Sequence, residues 1–223
     1  MESKIAQNLQ AILSRLPEGV NLVAVSKFHP AAAVQEAYDA GQRRFGESRV
    51  QEFLEKKKQL PSDIEWHFIG HLQTNKVRSL IGHTSLIESV DSERLLSLID
   101  KESERAGVVT RVLMQVHVAR EETKFGFWPE ELLEYFQQRK FEQLKAVHIC
   151  GVMGMASNVD DEARISEDFR RIAEIYNRIR TDESLGLRGF NALSMGMSHD
   201  WPLAVKEGSN LVRVGTAIFG NRE

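Results

Sequence analysis

The chain has 223 residues, 42% hydrophobic and 27% charged, with 29 Lys and Arg against 32 Asp and Glu, a formal charge of −3. That is enough chain for one large α/β barrel or two small domains, and the near-balanced charge argues against nucleic acid or an anionic membrane as the main partner. No apolar run approaches the roughly 20 residues of a spanning helix, and the single Cys150 allows neither an internal disulfide nor CxxC-type metal ligation.

The opening "MESKIAQNLQAILSRLP" is an amphipathic helix carrying acids, without the basic start, apolar middle and small-residue cleavage site of a signal peptide. A soluble, cytoplasmic protein is expected. Strand-like runs follow at 22–27 ("LVAVSK"), 43–47, 64–70, 85–90, 111–118, 145–153, 190–195 ("FNALSM") and 211–219 ("LVRVGTAIF"). Between them lie helix-period segments such as "AAAVQEAYDAG", "SRVQEFLEKKKQL", "DSERLLSLIDKESERAG", "PEELLEYFQQRK" and "ARISEDFRRIAEIYNRIRT". Several begin after Ser, Asp or Pro or end on Gly, which is cap chemistry. Strands alternating with helices imply parallel pairing through right-handed crossovers, and about eight such units close a (β/α)8 TIM-type barrel. Residues 1–223 are expected to form one such α/β barrel domain, with an extra N-terminal helix. The competing open, doubly wound sheet would carry a GxGxxG loop after its first strand. Here that strand ends in a lysine.

Active sites of such barrels form at the C-terminal ends of the strands, often with a phosphate cradle after the seventh and eighth. Alternation puts Val23, Val25 and Lys27 on one side of the first strand and Leu22, Ala24 and Ser26 on the other. If Lys27 points inward it stands on a floor of valines. A desolvated ammonium loses its proton more readily, and the neutral amine can form a Schiff base with a carbonyl. A lysine snorkelling to solvent at a strand end is the plainer reading. In "NALSMGMSHD" and "LVRVGTAIFG", Ser194 supplies a hydroxyl, while Gly196, Gly215 and Thr216 mark backbone that can approach an anion closely. Arg213 shares strand parity with Gly215, and a buried arginine needs an acceptor, for which a bound ligand is a natural source. The glycines could equally relieve crowding at barrel corners.

Taken in order and spacing, "AVSKFHP", "FGESRVQE", "WHFIGHLQTNK", "LSMGMSHD" and "VRVGTAIFG" resemble the pyridoxal phosphate homeostasis protein family across nearly the whole chain. That family has a barrel similar to the N-terminal domain of alanine racemase. The resemblance implies pyridoxal 5′-phosphate (PLP) bound to Lys27 as an internal aldimine. It implies further that Ser194 and the Gly215–Thr216 backbone hold the phosphate and that Arg213 faces the pyridine nitrogen, with Met195, Gly196, Ser48 and His71 as further cofactor contacts. Arg213 in that role keeps the nitrogen unprotonated and weakens the ring as an electron sink. Two positions depart from the family pattern: Ser48 and His117 stand where Asn is usual.

Other residues carry plainer expectations. His67 and His71 lack the carboxylate motif of a zinc site and would line the cofactor mouth. Cys150 is inert packing in an apolar strand, "EKKKQL" is a solvated helix end, and Lys124 is an exposed loop lysine or a cofactor exchange point. "GVMGM" lacks GK[ST] and is no P-loop.

Three functions compete: a PLP carrier that buffers or delivers vitamin B6 and so influences amino-acid and keto-acid balance; a PLP-dependent racemase or decarboxylase; and a class I aldolase-like barrel. Related racemases take a second base, a tyrosine, from a further domain. The chain ends soon after "TAIFG", and Tyr38, Tyr135 and Tyr176 all fall on the expected outer ring. The expectation is therefore a monomeric carrier without robust catalysis, with apo PLP-dependent enzymes as possible recipients.

Overall fold

The computed structural model describes residues 3–118 and 125–221; Lys124 lies outside them. Eight parallel strands close on themselves in sequence order: β1 Asn21–Val25, β2 Arg44–Glu47, β3 Glu65–Phe68, β4 Leu86–Val90, β5 Thr110–Val116, β6 Val147–Gly154, β7 Ala192–Ser194 and β8 Leu211–Val214. β1 pairs with β8, Val23 opposite Arg213, which shuts the ring. Helices cover the outside: α1 Lys4–Leu13, α2 Ala31–Asp39, α3 Val50–Gln59, α4 Val77–Leu80, α5 Glu93–Ala106, α6 Pro129–Gln137, α7 Glu162–Arg180, α8 Trp201–Lys206 and α9 Thr216–Phe219. Caps set several of these ends. Ser3 accepts from the Ala6 N–H, Ser92 from Leu95, and Asp161 from Ala163 and Arg164, while Gly107 closes α5 in the left-handed conformation.

Two apolar layers follow from strand alternation. Val23, Leu86, Leu113, Cys150, Met153 and Leu211 pack inside the barrel. Leu22, Ala24, Phe45, Trp66, Phe68 and Val212 belong to the larger layer between sheet and helices. The register between β5 and β6 shifts at Val112/Leu113, beside Gly151. A Cβ on Gly151 would lie 1.8 Å from the Ala192 carbonyl oxygen, and its φ is +153°, so only glycine fits.

The strand bounds correct two expectations. β1 stops at Val25, and residues 26–29 turn, with the His29 N–H bonded to the Ser26 carbonyl at 3.0 Å. The run expected to stay extended to 219 stops at Val214. Gly215, at φ −118° and ψ −77°, starts the single turn α9, and Ile218 N–H returns to the Gly215 carbonyl at 2.8 Å. Ile218 is still buried in the outer layer, so the apolar pattern was right while the backbone state was not.

Candidate functional site

A cavity of about 160 Å³ opens at the C-terminal ends of the strands. Val25, Ile69, Met153 and Met155 give it apolar walls, and Lys27, Arg213, Ser198 and Thr216 bring polar groups to it. Gly215, His29, His199 and Met197 complete the lining. Strand parity places Val23 in the barrel interior with Val25 above it on the same side, and the turn that follows β1 brings Lys27 to the lining. Gly215 allows a close approach here: a Cβ would lie 3.0 Å from the Val25 carbonyl oxygen.

Beneath the cavity, Arg213 is 4% exposed. Its expected partner on a ligand is supplied by the protein instead. Nη1 donates to Ser194 Oγ at 2.6 Å, Nη2 donates to the Gly154 carbonyl at 3.0 Å, and Glu88 Oε2 lies 3.7 Å away. Ser194 donates in turn to Glu88 Oε2 at 2.6 Å, and Glu88 Oε1 meets His67 Nδ1 at 2.6 Å. A buried charge demands such compensation. Burial pushes the Glu88 carboxyl up, but His67, Arg213 and Ser194 outweigh it and hold the group below the usual carboxylate range. Burial lowers the Arg213 pKa from its ordinary value, against the pull of Glu88 and Asp200; a guanidinium stays charged regardless.

Of the residues expected from the sequence, Lys27, Arg213, Gly215 and Thr216 meet around the cavity. Ser194 and Met195 are fully buried and do not line it, and the hydroxyl that reaches it belongs to Ser198, whose Oγ accepts from the Gly215 N–H at 3.2 Å. The signal was a second serine four residues on, past the end of β7, where strand alternation no longer applies. Gly196 serves packing: at φ +95°, its Cβ would sit 2.7 Å from the Ala204 side chain. Ser48 lies under the next loop, its carbonyl oxygen 2.2 Å from where a Gly70 Cβ would be. His71 is held by Asp91 at 2.9 Å and stacks on Phe125, ring centroids 3.8 Å apart. His67 points into the buried network rather than the mouth. His117 sits edge-on to Trp128, away from the lining. Among the described residues no three His, Cys, Asp or Glu side chains could hold a metal ion. Cys150 is buried inside the barrel, its Sγ accepting from Arg111 Nε at 3.3 Å.

Lys56 was missed altogether. The stretch read as solvated contains a lysine that is only 5% exposed and bonded to Glu47, Glu52 and the Ser26 carbonyl. Val50, Phe53 and Lys56 are the buried residues of α3. The i, i+3, i+6 spacing was the available signal, since it puts Lys56 on the apolar face.

A family model described as the alanine racemase N-terminal domain matches residues 2–223. A pyridoxal phosphate homeostasis protein of Aquifex aeolicus is 38% identical over 225 residues, covering 99% of this chain and 96% of the relative. One of Schizosaccharomyces pombe is 37% identical, with 99% and 94% covered. The chain belongs to the pyridoxal phosphate homeostasis protein family. The structure of PipY from Synechococcus elongatus with PLP bound superposes with a TM-score of 0.88 at 40% identity, covering 97% of this chain and 100% of PipY. Alanine racemase from E. faecalis shares the fold at TM-score 0.75 and 19% identity, this chain matching 58% of it.

Proposed function

We propose that this chain binds PLP at the cavity and acts in vitamin B6 homeostasis, buffering or delivering the cofactor, with effects on amino-acid and keto-acid balance. The observation that carries the reading is the convergence of one primary amine, one fixed guanidinium and two hydroxyls on an apolar-walled cavity, in a chain 40% identical to a PLP-bound PipY. The residues fit the group. Lys27 offers the amine for a Schiff base with the formyl carbon. Ser198 and Thr216 offer hydrogen bonds for a phosphate, and Val25, Ile69 and Met153 offer walls for a flat ring. When bound, the cofactor supplies an electrophilic carbon and an electron-withdrawing ring. Arg213 is assigned to the pyridine nitrogen, where a permanent cation disfavours a proton. Glu88 and Ser194 keep that cation in place.

The reading is of a cytoplasmic monomer that carries PLP and passes it to apo enzymes. Supporting it, Tyr38, Tyr135 and Tyr176 lie on α2, α6 and α7, outside the cavity lining, and among the described residues no helix is long and apolar enough to cross a membrane. A second reading, a weak PLP-dependent racemase or decarboxylase, draws on His29 and His199, which bring imidazoles to the lining that the sequence reading overlooked.

The deciding experiment is visible absorption of the purified protein after PLP addition. A yellow species fixed by borohydride and absent in Lys27→Ala supports the site; colour that survives Lys27→Ala refutes it. Exchange of the alanine α-proton in deuterium oxide by the loaded protein would favour the racemase reading, and transfer of PLP to an apo enzyme the carrier reading.

A further inference from the structure

Lys27 stands on a turn whose shape is imposed from α3. Before it, the Ser26 carbonyl accepts from Lys56 Nζ at 2.8 Å, and Ser26 Oγ donates to Glu47 Oε1 at 2.6 Å. After it, Phe28 has φ +68°, in the left-handed region that a bulky side chain seldom enters. The Phe28 N–H donates to Glu52 Oε1 at 2.7 Å, and the Arg49 guanidinium lies 4.6 Å from the centroid of its ring. Lys56 Nζ joins the two carboxylates, 2.6 Å from Glu47 and 2.7 Å from Glu52. One ammonium thus gathers both groups that grip the turn on either side of Lys27.

An apolar residue at position 56 would fill the same face of α3 without the desolvation of a charge. A strained backbone persists only where its surroundings over-determine it, and such strain collects at functional sites. We propose that Glu52, Lys56 and Glu47 are positioning residues. They hold the 26–28 turn in its left-handed form and thereby aim the Lys27 amine into the cavity. They act through the backbone and line no part of the cavity. The proposal rests on Lys27 being the attachment point for PLP.

A purely structural ion pair and a positioning clamp separate at Phe28, which is 40% exposed and so open to substitution. Glycine adopts positive φ freely, whereas a β-branched residue resists it. The test measures PLP affinity by absorption, and trapping at Lys27 by borohydride and peptide mass spectrometry, in the full-length chain. Glu52→Ala and Phe28→Val should each bind about tenfold more weakly, roughly what one hydrogen bond to a charged acceptor is worth. Glu52→Gln, which keeps an acceptor oxygen, and Phe28→Gly should bind like the parent. Phe28→Gly placed on Glu52→Ala should restore most of the loss. Unchanged affinity in folded Glu52→Ala, or Phe28→Val binding as well as Phe28→Gly, overturns the clamp.

A second readout needs no cofactor: reductive methylation of Lys27 by formaldehyde with cyanoborohydride as the hydride donor, read by mass spectrometry. It should quicken about threefold or more in Glu52→Ala once the amine is no longer aimed inward. An unchanged rate counts against the clamp. If the parent traps no PLP at Lys27 the functional reading falls, while the methylation rates still judge the clamp.

Discussion

The residues proposed to hold PLP are few, and each is fixed by a different force. Lys27 is placed by backbone geometry, Arg213 by buried hydrogen bonds, and Ser198 by the loop that follows β7. Lys27→Ala is expected to abolish visible absorption in the PLP-soaked protein while leaving the melting temperature of the cofactor-free protein within a few degrees, because the side chain is only partly buried. Glu88→Ala should behave in the opposite way. It leaves a buried guanidinium with its carboxylate partner gone, at a cost of about 3 kcal/mol or more in urea unfolding. Glu88→Gln, which keeps an acceptor for Ser194, should cost less. The sequence made Arg213 visible through strand parity, a rule with period two that holds while the chain is extended, and Lys27 visible as a lysine at the end of the first apolar run. Parity says nothing at Ser198, which lies past the end of β7 at Ser194, where the chain bends. Glu88 was hidden for another reason: a carboxylate inside a barrel looks in sequence like any polar break in an apolar run.

At the scale of elements, the barrel was readable because each strand is a short apolar run and several helices, α1, α5 and α7 among them, begin at a capping Ser or Asp. The limits lay where an element is brief. β7 has three residues, and α4, α8 and α9 have four, six and four, too few for a period to assert itself. α3 shows the converse, a helix with clear periodicity whose buried lysine was overlooked because charge was weighed above position. The β5–β6 shift gives a direct test. Gly151→Ala must fit a methyl group 1.8 Å from a carbonyl oxygen at positive φ, so a loss of about 3 kcal/mol or more is expected in denaturant unfolding. A loss under about 1 kcal/mol would mean that the strands slide to accept it.

For the whole molecule, the buried network makes stability depend on acid. The folded Glu88 pKa lies below its ordinary 4.5. The unfolded chain therefore takes up a proton first as pH falls. The contribution is fully present above the unfolded value and disappears as pH drops through the folded one. The stability gap between parent and Glu88→Gln should shrink as pH is lowered from about 5 to about 3, measured by urea titration at each pH. A gap that stays constant would show that the carboxylate's charge is not what the network uses.

The pairing of β1 with β8 has one more effect. Asn21 lies opposite Leu211 and Val23 opposite Arg213, so Arg213 and the turn that carries Lys27 just past β1 lie where the ring shuts. Loop-closure entropy makes such distant pairings the dearest to form. The vitamin's chromophore would thus straddle the seam of the molecule and act as a rivet across it. In refolding from urea with PLP present, the yellow colour should develop only with the final docking of β8, after most of the helical signal has returned.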